Sequence, residues 1–241
     1  MALSNFYYLV WPWIGLGGAI AIIILLFCTN ILRMDLNKSR WRDGAWLAWL
    51  ASAAYLVHNV EEYGIDLFGN LHQFPNTMVE MMNTNPPEVF YMAVNISMFW
   101  IASPIAARLA RKHPVVATGM AGELFINALS HIAPLVGGTG YTAGTLTACI
   151  IFLPVSLWTF YTCFGKEKLS YKVLATIIGI AIVSHLILML SIKLFAAGAI
   201  ATVGIVLMQI CNACLTVILW MWADHFFMKN KNNGCRIGEF T

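Results

Sequence analysis

Long apolar runs alternate with short polar segments along the whole chain. A bilayer core of about 30 Å requires roughly 20 apolar residues in a helix, and the chain contains seven runs of that length. The predicted spans are residues 8–31, 44–68, 88–109, 114–136, 141–164, 171–196 and 198–228. The pattern predicts an all-α fold, a polytopic membrane helical bundle of about seven transmembrane helices.

The apolar runs follow one another without a linker. We therefore expect one transmembrane helical domain over residues 1–230, and a disordered tail over residues 231–241. The first run is too long for the apolar region of a signal peptide and has no small-residue cleavage site, so we expect it to remain in the mature protein.

Basic residues are concentrated in alternate connections between the predicted spans. Lys and Arg follow the first, third, fifth and seventh spans, and the intervening connections contain almost none. Because short cytoplasmic loops are enriched in Lys and Arg, this pattern predicts an N-terminus outside and a cytoplasmic C-terminus. Short loops of this kind suit an integral, multi-pass protein of a bacterial inner membrane or of an internal eukaryotic membrane.

The composition agrees with a membrane protein. Of 241 residues, 60% are apolar and 10% are charged, whereas an ordinary globular domain is about 25% charged. The mean hydropathy is +0.74, which excludes a soluble protein. The net charge of +3 is slight and scattered, so no nucleic acid is expected as a partner.

Ionisable residues interrupt the second predicted span. A charge in the hydrocarbon core costs about 2.5–3.5 kcal/mol, so such residues are candidates for a functional site. His58, Glu61 and Glu62 lie within one helical turn. On a regular helix the two carboxylates flank the imidazole by about 60° and 40°, so all three are expected to face one cavity. The alternative is a buried salt bridge between helices.

A second polar stripe follows the fourth predicted span. Glu123, Asn127 and His131 are four residues apart, and each step turns only about 40° around a helix while rising about 6 Å. The three side chains therefore share one helix face. They contribute either to a site or to ordinary hydrogen bonds between membrane helices.

Depth in the bilayer tests whether these groups can meet. At a rise of about 1.5 Å per residue, His58, Asn127 and His185 lie about 15 Å below the outer surface. Glu62 and His131 lie about 9 Å below it. We therefore expect one cavity in the extracytoplasmic half of the bilayer. Whether His185 is a ligand or a core histidine stays open.

The motif His58-x-x-Glu61-Glu62, followed by Tyr63, resembles the signature of the HXXEE-domain proteins, which are small integral membrane proteins. The resemblance covers about residues 45–160. It continues in Phe74-Pro75, in Asn127 to Ile132, in Tyr141 to Gly144 and in Pro154. Where the family commonly has Pro-Gly after the tyrosine, this chain has Ala143-Gly144. The catalytic or metal-binding roles that the resemblance implies fall on His58, Glu61, Glu62 and His131. It implies no substrate, because the family is largely uncharacterised.

Imidazoles and carboxylates in one apolar cavity form a metal-ligand set. We therefore expect a membrane-embedded enzyme, a metal-dependent hydrolase that acts on a small apolar or lipid-like ester or amide. The expected cofactor is a divalent metal, zinc in preference to iron. The expected ligands are His58, Glu62, His131 and His185, and the expected catalytic residues are Glu61 as general base, Glu62, and Asn127, which would steady an oxyanion.

Two other functions use the same residues. A desolvated glutamate can protonate an olefin or an epoxide, as a metal-free isomerase or cyclase of terpenoid-like substrates requires. Alternatively, Glu61, Glu62 and His131 relay protons in a proton-coupled transporter or a ligand-binding membrane protein.

Overall fold

The structure is a computed structural model that describes the backbone of residues 3–237 and the side chains of residues 8–229. Within these residues the fold is helical, with two isolated β-bridges, Ile65 with Leu71 and Phe164 with Leu169. A short 3-10 turn, Arg40–Arg42, precedes the second helix. The eight helices of the described chain are α1 (Leu3–Cys28), α2 (Gly44–Asn59, continued by the π-helical turn Val60–Gly64), α3 (Phe74–Met82), α4 (Glu88–Leu109), α5 (Val116–Val136), α6 (Thr145–Cys163), α7 (Tyr171–Ala196) and α8 (Thr202–Ile237).

Within the described part of the chain, five helices are long and apolar enough to cross a membrane. They are α1, α4, α6, α7 and α8, so the prediction of an all-α fold with membrane-type helices is confirmed. The predicted spans 44–68 and 114–136 also form helices, α2 and α5, but these are not among the five. Both helices carry the polar residues noted above, which lower their hydropathy.

Helix α2 lies at the centre of the bundle. It packs against α1, α4, α5 and α6, and 12 residues of Gly44–Asn59 are buried. A helix that is surrounded by other helices meets little lipid, so its own sequence need not be uniformly apolar. This position explains how α2 accommodates the HXXEE residues.

The carboxylate of Asp43 caps the start of α2. Its Oδ1 accepts hydrogen bonds from the backbone N–H groups of Ala45 and Trp46, at 3.0 and 3.1 Å. Its Oδ2 accepts from the N–H groups of Met34 and Asp35, at 2.8 and 2.9 Å. The side chain satisfies free N–H groups at the helix start and ties the preceding connection to it.

Three π-helical segments interrupt the helices. Ile96–Ala102 in α4 and Ala148–Phe152 in α6 each precede a proline, Pro104 and Pro154 respectively. Proline removes a backbone donor and its ring presses on the preceding turn, and a widened turn relieves this clash. The third segment, Val60–Gly64, contains no proline and carries both glutamates of the motif. Single π turns are rare in proteins, and those that do occur are often found at functional sites.

The predicted tail at residues 231–241 overlaps the end of α8. This helix reaches Ile237, and residues 238–241 lie outside the described chain. The tail, and the single domain over residues 1–230, stay predictions.

Candidate metal centre

The π turn at the end of α2 brings Glu62 between two histidines. Glu62 Oε1 lies 3.4 Å from His58 Nε2, on the same helix, and 3.3 Å from His131 Nε2, on α5. All three side chains are buried, with exposed fractions of 0% for His58, 2% for Glu62 and 5% for His131. Within the described residues they form the one group of three His, Cys, Asp or Glu side chains whose donor atoms all lie within 4.8 Å of one another.

The spacing of these donor atoms matches a tetrahedral metal. Zinc binds imidazole nitrogen and carboxylate oxygen at about 2.0–2.1 Å, so two ligands of a tetrahedral ion are about 3.3–3.4 Å apart. The two distances between Glu62 and the histidines, 3.3 and 3.4 Å, have this length.

A hydrogen bond at Nδ1, the imidazole nitrogen that faces away from Glu62, orients His58. The Thr147 hydroxyl donates to Glu61 Oε2 at 2.5 Å, and it therefore accepts from His58 Nδ1–H at 2.6 Å. In the neutral imidazole this leaves Nε2 without a hydrogen, and Nε2 is a buried atom with no hydrogen-bond partner. A carboxylate that orients a metal-binding histidine from its far side is a common arrangement around metals.

Glu61 points away from this group, toward the start of α6. Its carboxylate accepts hydrogen bonds from the Tyr141 hydroxyl at 2.7 Å, from Leu146 N–H at 2.9 Å and from Thr147 N–H at 2.7 Å, besides the Thr147 hydroxyl. A helix N-terminus favours such a carboxylate. Partial burial, with the neighbouring Glu61 carboxylate, raises the pKa of Tyr141, so its phenol remains a hydrogen donor at neutral pH.

Gly144 allows the connection before α6 to lie against both histidines. Its φ is +96°, a conformation that favours glycine. A Cβ atom at this position would lie 2.5 Å from His131 Cε1 and 2.8 Å from His58 Cε1. Any larger residue would therefore displace the imidazoles.

A cavity of about 100 Å³ opens beside Glu62 and His131. Its walls are mostly apolar and come from α2, α3, α4, α5 and α7; they include Phe74, Met78, Phe90, Leu188, Met189 and Ile192. A largely apolar cavity whose lining also includes polar side chains, here Glu62, Asn127 and His131 among others, is typical of small-molecule sites. Helix α3 contributes methionine side chains, which adapt readily to the shape of a ligand.

Residues 49–159 match the family described as "Protein of unknown function with HXXEE motif". The chain contains an HXXEE domain. This match confirms the family that the motif predicted, and the HXXEE domain includes His58, Glu62 and His131. No curated protein and no solved structure matches the chain.

The predicted site residues are only partly brought together within the HXXEE domain. Asn127 lines the cavity and its Nδ2 donates to the Tyr55 hydroxyl at 3.1 Å. Glu61 does not line the cavity, contrary to the regular-helix expectation, because the π turn ends α2 where α6 begins and α6 supplies its donors.

His185 lies on α7, outside the HXXEE domain and outside the group of three ligands. It lines the same cavity, but its Nδ1 faces the Ala181 carbonyl at 2.9 Å and Glu123 Oε2 at 3.5 Å. The structure does not bring His185 together with the other three predicted ligands, and its role as a metal ligand stays a prediction.

Sequence reasoning missed three residues of the HXXEE domain that support the centre. Tyr141 and Gly144 lie in the segment that carries the family resemblance. Their place in that segment could have indicated a role near the histidines. Thr147 gave no signal, because a threonine in an apolar run is ordinary in membrane helices.

Proposed function

We propose that this protein is a membrane-embedded, metal-dependent hydrolase of a small apolar or lipid-like substrate. The proposal rests on one observation: two imidazole nitrogens and a carboxylate oxygen, all buried, lie within 4.8 Å of one another at the wall of an apolar cavity, close enough to share one metal ion. Three protein ligands and one open position are the usual arrangement of catalytic zinc. Two histidines and one glutamate are a ligand set of catalytic zinc, our preferred metal, and also of non-haem iron.

The residues around the cavity have separate tasks in this proposal. When bound, a divalent metal supplies a Lewis acid and activates water at neutral pH. Asn127 lines the cavity and offers a donor to a developing oxyanion. The second oxygen of Glu62 is our candidate for proton transfer, since the four hydrogen bonds to Glu61 leave that carboxylate a positioning role.

Elemental analysis of the detergent-purified protein tests the metal. We expect one zinc per chain in the wild type, loss of zinc in His58→Ala and in His131→Ala, and full zinc in the control His225→Ala, which changes an exposed histidine. Hydrolysis of apolar esters and amides should stop in chelator and return with zinc. A folded wild type without metal would contradict the proposal.

A metal-free function has one observation in its favour. Distances of 3.3 and 3.4 Å between Glu62 and the two histidines also suit imidazole–carboxylate pairs that share a proton. The corresponding activity is acid/base isomerisation or cyclisation of a terpenoid-like substrate. Turnover that is unaffected by chelator would select it, and a protein that moves protons without chemical turnover would select proton-coupled transport.

We also propose that α2 and α5 cross the membrane inside the ring of the five apolar helices. The chain would then have seven spans, an N-terminus outside and a cytoplasmic C-terminus, following the Lys and Arg distribution. The membrane would be a bacterial inner membrane or an internal eukaryotic one. Labelling of single cysteines placed in successive connections with a membrane-impermeant reagent tests this, and labelling of two consecutive connections from the same side would contradict it.

A further inference from the structure

A second cavity lies next to the first, between α2, α4, α5, α7 and α8. It has a volume of about 40 Å³, enough for one small ion with a water molecule. The two cavities share Tyr55, Asn127 and His185 as part of their walls. The second cavity is lined by several residues with side-chain oxygens: Tyr55, Glu123, Asn127, Ser184, Gln209 and Asn212.

Three of these residues have a buried oxygen without a hydrogen-bond partner. They are Glu123 Oε1, Asn127 Oδ1 and Asn212 Oδ1. The orientation of Asn212 follows from its Nδ2, which donates to the Ser184 carbonyl at 3.1 Å and so leaves Oδ1 free. Glu123 is 1% exposed and Asn212 is 6% exposed. Unpaired acceptors at this depth are costly, so their clustering around one cavity indicates a ligand that interacts with oxygen.

No cationic side chain among the described residues balances Glu123. The lining residues include no Lys or Arg. The nearest basic group is His185, whose Nδ1 is 3.5 Å from Glu123 Oε2 but only 2.9 Å from the Ala181 carbonyl. The carbonyl can only accept, so Nδ1–H is directed to it, and the neutral imidazole satisfies this contact.

We propose that this second cavity binds one monovalent cation of the Na⁺ type through Glu123, Asn127 and Asn212. A hard cation takes several oxygen ligands, so a cation in this cavity would satisfy more than one of the unpaired oxygens, whereas a proton on Glu123 satisfies one. A single positive charge neutralises the single carboxylate. A divalent ion would leave a net charge among buried helices, which is costly. The site includes none of the three proposed metal ligands, although Asn127 lines both cavities, and cation binding does not require the hydrolase activity.

Thermal unfolding in detergent tests this site. NaCl replaces choline chloride at constant ionic strength, so only a specific ion effect changes Tm. At a Na⁺ concentration of ten times Kd, we expect a rise in Tm of about 3–5 °C in the wild type. Glu123→Gln keeps the shape of the side chain and removes its charge, and should abolish the rise. Glu80→Gln, which changes an exposed acid, and His58→Ala, which changes a metal ligand, should retain it.

A milder variant keeps the test informative if Glu123→Gln does not fold. Asn212→Ala removes one oxygen ligand and should move the midpoint of the Na⁺ response to about tenfold higher concentration, because one lost ligand contact costs about one factor of ten. Equal Tm values in NaCl and choline chloride would overturn the proposal and leave a protonated Glu123 with bound water. A Na⁺ response that persists unchanged in both variants would also overturn it.

Discussion

Two neighbouring carboxylates on the same π turn lie in opposite environments. Glu62 faces two imidazoles and an apolar cavity, where its Oε1 is 3.3 and 3.4 Å from nitrogen atoms. Glu61 faces the start of α6, where two backbone N–H groups and two hydroxyls donate to it. The same functional group therefore holds the fold together on one side of the turn and offers a ligand on the other. Thr147 joins the two sides, because it contacts both Glu61 and His58.

The largest effect should come from removing the anchoring carboxylate. Glu61→Leu leaves two backbone N–H groups and two hydroxyls without their acceptor in the buried interface between α2 and α6, which should cost more than about 3 kcal/mol. We expect a strongly lowered Tm and poor yield in detergent. Glu62→Leu is the matched control, and similar losses of Tm in the two variants would remove the distinction between the carboxylates.

Glu62→Gln should separate binding from stability. Glutamine fills the same space but carries no charge, so we expect an almost unchanged Tm when both proteins are measured in chelator, and a loss of zinc affinity of more than about 100-fold. A chromophoric chelator in competition with the protein measures this affinity. Wild-type zinc affinity in Glu62→Gln would exclude Glu62 as a ligand.

Gly144→Ala tests the contact between the connection and the histidines. The new Cβ adds left-handed backbone strain and a 2.5 Å contact with the His131 ring, so we expect a cost of about 2–3 kcal/mol and weaker zinc binding. Gly140→Ala is the control, because Gly140 has a φ of +92° but open space around its Cβ position. It should show the backbone strain alone, about 1–2 kcal/mol, with normal zinc binding.

Thr147→Val removes the hydroxyl between the two sides of the turn. Valine keeps the shape but not the hydrogen bonds to His58 and Glu61, so His58 loses its orienting partner. We expect zinc affinity to fall by about 10–100-fold. Thr147→Ser should restore most of it, and equal affinities in the valine and serine variants would show that the hydroxyl has no role.

The smallest effect concerns His72, in the connection that follows the π turn. Its Nε2 lies 2.9 Å from Glu88 Oε2 and its Nδ1 lies 3.3 Å from the Tyr63 carbonyl, so only the protonated imidazole donates to both acceptors. Partial burial favours the neutral form, but the hydrogen bond and charge of Glu88 outweigh it, and the pKa of His72 is raised.

A raised pKa in the folded state determines the direction of the pH effect. The stabilisation is fully present below the unfolded pKa of about 6.5 and is lost as pH rises through the higher folded pKa. Because Glu88 is partly exposed, we expect less than about 1 kcal/mol. Tm measured from pH 6 to 9 should fall less in His72→Gln than in the wild type. An identical slope in the two proteins would exclude His72 as the source.

Much of the fold and part of the centre followed from local sequence patterns. Apolar run length predicted the helices, because lipid requires about 20 apolar residues from each exposed span. The cost of ionisable groups in an apolar run singled out His58 and Glu62 on α2 and His131 on α5. The proximity of these three side chains was predicted only approximately, because depth along the membrane does not define which helices are neighbours.

The opposite environments of Glu61 and Glu62 depended on tertiary structure. On a regular helix both flank His58, and no local pattern indicated a π turn that ends α2 beside the first N–H groups of α6. His185 has a suitable depth, yet its Nδ1 faces the Ala181 carbonyl of its own helix and Glu123 on α5, a neighbour that only helix packing decides. The sequence by itself determined the helical membrane fold and which residues are chemically unusual. Tertiary structure decided which of them lie close enough to share a metal ion, because His131 comes from a helix distant in the chain from His58 and Glu62.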